Sequence, residues 1–286
     1  MIANTKVEHA RDRVPGRVRA RWPTIGQTGL MRVGVNGAAG RMGRTVCAAV
    51  TADPDLVLVA AVDPRGAGEV VEGVAVSELL HAFADAHCDV VVDFTVADAA
   101  RHTLPWLGMH GIHAIVGTTG FTNTDFELFE STFGGDAGPN GLIAPNFAIS
   151  AVLMMRFAAM AAPYFDTAEI IELHHDRKVD APSGTAVKTA ERMGAAREGN
   201  FDPDPTTDVV YEGARGGSAP AGIRVHSVRM RGMVAHQEVI LGAQGQTLTI
   251  RQDSYDRDSF MPGVVLACKR ISGVAGLSRS LDPFLD

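Results

Sequence analysis

The densest chemistry in the chain lies in Glu172-Leu173-His174-His175-Asp176-Arg177-Lys178-Val179-Asp180-Ala181-Pro182-Ser183-Gly184-Thr185. His174, His175, Arg177 and Lys178 fall within five positions. Histidine titrates near neutral pH, and lysine becomes a usable acid when its pKa is lowered. Ser183, Gly184 and Thr185 stand where the pattern predicts a helix start, with Pro182 in its first turn. Backbone amides and hydroxyls there would sit beside the cationic side chains. Such a segment can hold an anion and deliver a proton to it. The competing readings are a solvated charged loop and a metal site on His174 and His175. Adjacent histidines with no third ligand at a regular offset are poor metal spacing.

A second constellation, Gly37-Ala38-Ala39-Gly40-Arg41-Met42-Gly43, is spaced GxxGxxG rather than GxGxxG. Glycines in a strand-to-helix turn allow a tight bend and close approach of backbone amides to a pyrophosphate. The following helix N-terminus adds donors and partial positive charge. Asp63 stands twenty residues past Gly43, where an acid can accept hydrogen bonds from a ribose. Arg65 could pair with a 2′-phosphate, so NADH and NADPH both stay open. The bland alternative is a plain tight turn. Gly117-Thr118-Thr119-Gly120-Phe121 and Ala144-Pro145-Asn146-Phe147 each follow short apolar runs. Ligands of open α/β sheets bind at the carboxyl ends of strands, and both segments fall there. Taken alone, each also reads as an ordinary loop.

These residues need elements to hold them. Met31–Val35, Leu56–Val62, Asp89–Phe94 and Ala114–Val116 read as buried strands. Helical spacing appears over 41–52, 77–86 and 97–110. Strands that are apolar on both faces and alternate with helices predict a parallel sheet covered by helices. After Asn146 the texture changes. Helices are expected over 151–162, 182–198 and 260–272, and a strand over 167–173. Residues 223–230, 234–241 and 247–252 read as consecutive antiparallel strands, which predicts an α+β second domain. The class is therefore α/β: a Rossmann-type parallel sheet plus an α+β domain. His226 and His236 lie in strands of the second part and read as structural. Met154, Met155 and Met160 lie on an apolar helix and read as core.

Apolar residues make up 46% of the 286 and charged residues 21%, so the chain can bury a core. The net charge of −7 argues against a nucleic-acid partner. Residues 1–30 differ, with six basic against two acidic side chains and no apolar period. They read as a disordered leader, or as residues upstream of a true start at Met31, with a transit peptide or a basic nucleic-acid-binding arm as alternatives. Three widely spaced cysteines, Cys47, Cys88 and Cys268, favour neither a disulfide framework nor a zinc site. A reducing cytoplasm suits them. No apolar run approaches the roughly 20 residues of a membrane span.

Together these segments resemble the 4-hydroxy-tetrahydrodipicolinate reductase family of bacterial lysine biosynthesis. The resemblance covers residues 31–286 and rests on Val33 to Gly43, Asp93-Phe94-Thr95, Gly117 to Phe121, Ala144 to Phe147 and, above all, Glu172 to Thr185. It implies nicotinamide-dependent reduction of a small cyclic dicarboxylate with loss of water, in the diaminopimelate route. By resemblance His174 is the proton donor and acceptor, and Lys178 a proton donor. His175, Ser183, Gly184 and Thr185 then hold the substrate. Gly37, Ala38, Ala39, Gly40, Arg41, Met42, Asp63, Gly117, Thr118, Thr119, Ala144, Pro145, Asn146 and Phe147 bind the cofactor.

The resemblance further implies a homotetramer joined through the second domain. Its domains would be 31–146 with 257–286 for the dinucleotide, and 147–256 for substrate and assembly. Two departures stand out. Asp176-Arg177 occupies an interval where many relatives carry a third histidine. Pro64 displaces Arg65 from the position after Asp63, which tilts the expectation to NADH with NADPH tolerated. Other classes fit less well. A phosphorylating semialdehyde dehydrogenase needs a loop cysteine, and a nucleotide-sensing regulator needs no paired acids.

Overall fold

The computed structural model describes residues 29–135 and 138–286. The leader expected at 1–30 lies outside the described residues but for its last two positions. The first part runs β1 (Met31–Asn36), α1 (Arg41–Ala52), β2 (Leu56–Val62), β3 (Val70–Val71), β4 (Val74–Ser77), α2 (His81–Asp85), β5 (Val90–Asp93), α3 (Ala97–Met109), β6 (His113–Val116), α4 (Asn123–Phe133) and β7 (Gly141–Ile143). The second runs α5 (Ile149–Ala161), β8 (Thr167–His174), α6 (Gly184–Ala195), β9 (Gly217–Ser218), β10 (Arg224–Arg229), β11 (Ala235–Ala243) and β12 (Gln246–Ser254). The chain closes with α7 (Met261–Arg270) and β13 (Leu277–Ser278).

Strands in the first part form one sheet in the order β13-β7-β6-β5-β1-β2-β4-β3. Its central strands pair in parallel, as runs such as Val90-Val91-Val92 require when both faces are buried. The amphipathic face of α1 buries Gly43, Val46, Cys47 and Val50, spaced three, four and seven apart. Each Val or Leu buried so completely contributes about 1.5–3 kcal/mol. Residues after 256 return to this sheet: α7 packs on α1 and β1, and β13 pairs with β7. Asn140 pins that return, donating to Ile271 O at 2.8 Å and accepting from Gly276 N at 3.0 Å.

Strands in the second part form a five-stranded sheet in the order β12-β11-β8-β10-β9. Helices α5 and α6 pack together beside it. The buried stripe of α6 is Ala186, Thr189, Ala190 and Met193.

Several expectations need correction. Strands β10 and β11 are not hairpin partners, because β8 lies between them, parallel to β10 and antiparallel to β11. Ser77 ends a strand, and the helix expected from there is only five residues long. Helix α6 starts at Gly184 rather than Pro182, because Ser183 adopts extended backbone and accepts from Ala186 N. Met160 is not core: it is 71% exposed on the solvent side of α5, while Met154 and Met155 are buried.

Candidate active site

On the nucleotide side the chain builds its contacts from backbone. Gly37 has φ +76°, which suits glycine. A Cβ on Gly43 would stand 2.0 Å from Gly37 O, so only glycine lets α1 pack against the loop. A Cβ on Gly40 would stand 3.2 Å from the same oxygen, a milder crowding. The amides of Gly37 and Ala38 donate to Val62 O at 2.7 and 3.1 Å, so they are engaged within the fold. Helix α1 begins at Arg41 with no side-chain cap and no acid in its first turn. The amides of Arg41, Met42 and Gly43 therefore remain for an anion. Ala38 is fully buried and serves packing, while Ala39 and Met42 are half-buried at the loop surface.

Asp63 is 2% exposed at the end of β2 and accepts from Arg65 N at 3.0 Å. The Arg65 guanidinium reaches to 3.7 Å from it, and its side chain is 89% exposed. A buried carboxylate, Asp93, organises the neighbouring loops. It accepts from Asn36 Nδ2 at 2.8 Å, Thr95 N at 2.8 Å, Thr95 Oγ1 at 2.6 Å and Thr118 Oγ1 at 3.4 Å. Gly117 is forced by packing, since its Cβ would lie 2.0 Å from the Phe94 ring. Phe94 packs in turn on Phe147, with ring centroids 5.6 Å apart. Phe147 thus serves the core, while Thr119, Pro145 and Asn146 face the cleft.

On the other side the contacts come from side chains. Glu172, His174 and the loop after β8 meet Arg229 at the end of β10. Glu172 is fully buried. Its carboxylate accepts from Arg229 Nη2 at 2.7 Å, Arg229 Nη1 at 2.9 Å, His174 Nδ1 at 2.5 Å and Ser183 N at 3.1 Å. Burial alone would push its pKa up, but the hydrogen bonds from His174 and Arg229 outweigh burial and bring it down to about 2. Lys178 Nζ donates to both Asp180 carboxylate oxygens at 2.8 Å. That ammonium holds the Asp180 carboxyl below its usual range. Asp180 O accepts from Arg229 Nη2 at 2.7 Å.

His174 and Lys178 line one cleft of about 540 Å³ with Asn146, Ser183, Gly184 and Thr185. Asn146 Nδ2 stands 3.4 Å from Thr185 Oγ1, which brings the two halves together at this point. Ser183 lines the cleft, yet its hydroxyl caps α6 and its amide goes to Glu172. The open donors at this helix start are therefore those of Gly184 and Thr185. His175 lines an adjoining cavity of about 680 Å³ that His174, Lys178, Arg177 and Arg257 also line. His226 pairs with Glu169 at 2.8 Å. His236 donates to Asp253 at 2.7 Å and accepts from Val234 N at 3.1 Å, in keeping with a structural part.

Sequence reading missed three groups. Arg229 carried no local signal, because only the parallel register of β10 with β8 brings it opposite His174. Glu172 and Asp93 stood inside recognised motifs without a role, and their burial in a polar site is what marks them. The cysteines are all buried and free, with burial pushing each thiol up to about 12. None lines the cleft. Among the described residues, no group of three His, Cys, Asp or Glu side chains could hold a metal, and no helix is long and apolar enough to cross a membrane.

A parallel sheet with an open glycine-rich helix start, joined to a second sheet with His174 and Lys178 at one cleft, is the architecture of a two-domain nicotinamide-dependent oxidoreductase. Residues 31–147 match the family model described as dihydrodipicolinate reductase, N-terminus, and residues 150–281 match its C-terminus counterpart. The chain belongs to the dihydrodipicolinate reductase family, whose members use NAD(P)H. It is 50% identical over 257 residues to the 4-hydroxy-tetrahydrodipicolinate reductase of Mycolicibacterium smegmatis, covering 90% of this chain and 99% of that protein. It is 49% identical over 258 residues to the protein of the same name from Corynebacterium urealyticum, with the same coverage.

Among solved structures, the dipicolinate-bound dihydrodipicolinate reductase from Paenisporosarcina matches with TM-score 0.80 and 35% identity. That match covers 89% of this chain and 99% of its counterpart. An amine dehydrogenase from Mycobacterium smegmatis shares the fold alone, with TM-score 0.59 and 13% identity.

Proposed function

We propose that the chain reduces 4-hydroxy-tetrahydrodipicolinate to tetrahydrodipicolinate, taking one hydride and one proton and releasing one water. The observation that carries this reading is the shared cleft of His174, Lys178 and the uncapped amides of Gly184 and Thr185. The substrate is a dianion, and the amides with Lys178 can take its carboxylates. NADH or NADPH supplies the hydride when bound. Hydride arrival on a conjugated C=C/C=N system builds negative charge on the ring. His174 Nε2 stands on the cleft side to protonate it, and Lys178 is a second donor within the same wall.

The cofactor-side assignments rest on fit. The free amides of Arg41, Met42 and Gly43 suit a pyrophosphate, and buried Asp63 suits a ribose diol. Arg65 is exposed and free to swing toward a 2′-phosphate, so NADPH is accepted while NADH is preferred. Residues 31–146 with 257–286 form the dinucleotide part, and 147–256 the substrate part. The far face of the second sheet carries half-buried Ile171, Leu173, Val228 and Ile240, which favours a homotetramer built through it. The test is coupled oxidation of NADH and NADPH with enzymatically generated substrate. Turnover with both, faster with NADH, is expected, and no turnover with either overturns the reading.

A further inference from the structure

We infer that Glu172 and Arg229 are a positioning pair that fixes which nitrogen of His174 faces the substrate and tempers the charge of that imidazole. This deepens the proposed function and rests on its assignment of His174 as the acid.

An ionised carboxylate accepts only, with about four lone-pair sites. Glu172 is fully buried and has four donors: two from Arg229, one from Ser183 N and one from His174 Nδ1. Every site is filled, so the proton on His174 must sit on Nδ1. Nε2 is left for the cleft, as a lone pair in the neutral ring and as an acid N–H in the cation. The geometry therefore selects one tautomer before substrate arrives.

Arg229 adds a second effect. Alone beside His174, a buried carboxylate would hold the imidazolium charged and make it a reluctant acid. The guanidinium lies on the same carboxylate with two parallel hydrogen bonds and offsets that pull. Its Nε is buried with no hydrogen-bond partner among the described residues, so the side chain is placed for Glu172 and not for its own full satisfaction. Arg229 also donates to Asp180 O, whose side chain holds Lys178. One pair thus sets both proton donors, His174 directly and Lys178 through the loop. Other charged groups reach His174 as well. Lys178, Asp180 and His175 follow on its loop, His236 lies on β11 paired with Leu173, and Lys188 and Arg257 line the surrounding cavities. Glu172→Gln leaves these groups in place, while Arg229→Met also removes the hydrogen bond to Asp180 O.

Two variants pull the His174 ionisation in opposite directions. Glu172→Gln removes the anion and leaves the guanidinium, so the histidine limb of the kcat against pH profile moves to lower pH. Arg229→Met leaves the anion uncompensated, so the same limb moves to higher pH. Shifts of about one pH unit or more are expected, the scale of a charge removed at close range. The double variant returns the limb toward the wild-type position, and Arg229→Lys restores it in part. A purely structural role would lower rates without moving the limb in opposite senses. Shifts of the same sign, or none, overturn the inference.

Should a variant fail to fold, nitrogen NMR of the wild-type protein decides. His174, assigned by its loss in His174→Gln, is expected as the Nδ1–H tautomer at pH 8, and an Nε2–H tautomer overturns the inference. His174→Gln turning over at the wild-type rate would instead defeat the acid role itself, with the tautomer result standing apart.

Discussion

Each half of the cleft is organised around a buried carboxylate, and the two carboxylates work differently. Asp93 accepts only neutral donors, from Asn36, Thr95 and Thr118, and shapes three loops at the ends of β1, β5 and β6. Glu172 accepts from Arg229 and His174, which are charged or can become so. The first arrangement makes a rigid cradle of backbone where the cofactor is proposed to bind. The second stores charge next to His174, the proposed proton donor. Binding can thus be delegated to glycine and helix termini, while proton transfer needs side chains held by other side chains.

That contrast can be broken at several points. The largest expected effect is at the proposed acid pair: Lys178→Ala lowers kcat by at least about 100-fold, the usual scale for losing a general acid. Steady-state assays measure it, and a change under threefold would remove Lys178 from the chemistry. On the opposite side, Gly43→Ala drives a Cβ to 2.0 Å from Gly37 O. Overpacking of that kind typically costs 1–3 kcal/mol, so Kd for NADH is expected to rise about 10-fold with kcat at saturation little altered. An unaffected Kd would mean that the loop does not hold the cofactor.

A smaller effect sharpens the difference in stored charge. The Glu172 carboxyl lies at about 2 in the folded chain, against ~4.3 when unfolded. A depressed folded pKa gives stability that is complete above about pH 4.3 and lost as pH falls through about 2. Glu172→Gln is therefore less stable than wild type at pH 5 and loses less between pH 5 and pH 3. Thermal melts at the two pH values read this, and equal losses would contradict it. The smallest effect falls on cofactor choice. Arg65→Ala is expected to lower kcat/KM for NADPH about threefold while leaving NADH unchanged, because an exposed ion pair contributes at most about 1 kcal/mol.

The same contrast explains what the sequence made legible. The backbone half could be read directly, since GxxGxxG between an apolar strand and a helix leaves few alternatives and Asp63 follows at a set distance. His174 and Lys178 were legible because they sit together in the chain. Arg229 was not, because 55 residues separate it from His174 and only a parallel strand pairing joins them. Hairpin spacing suggested a simple antiparallel run over β10 to β12, and that expectation hid the pairing. Pro182 suits a first turn and predicts an early start for α6, whereas the Ser183 cap decides the boundary. Met160 reads as core because α5 is apolar nearly all round, which leaves no periodicity to say which side faces solvent.

The most direct test measures NADH binding and turnover together in His174→Gln. The account predicts a Kd for NADH equal to that of the wild type and a kcat lower by at least about 100-fold. A kcat within threefold of the wild type, or a loss of NADH binding that accounts for the lost rate, would contradict the division of labour between the two halves.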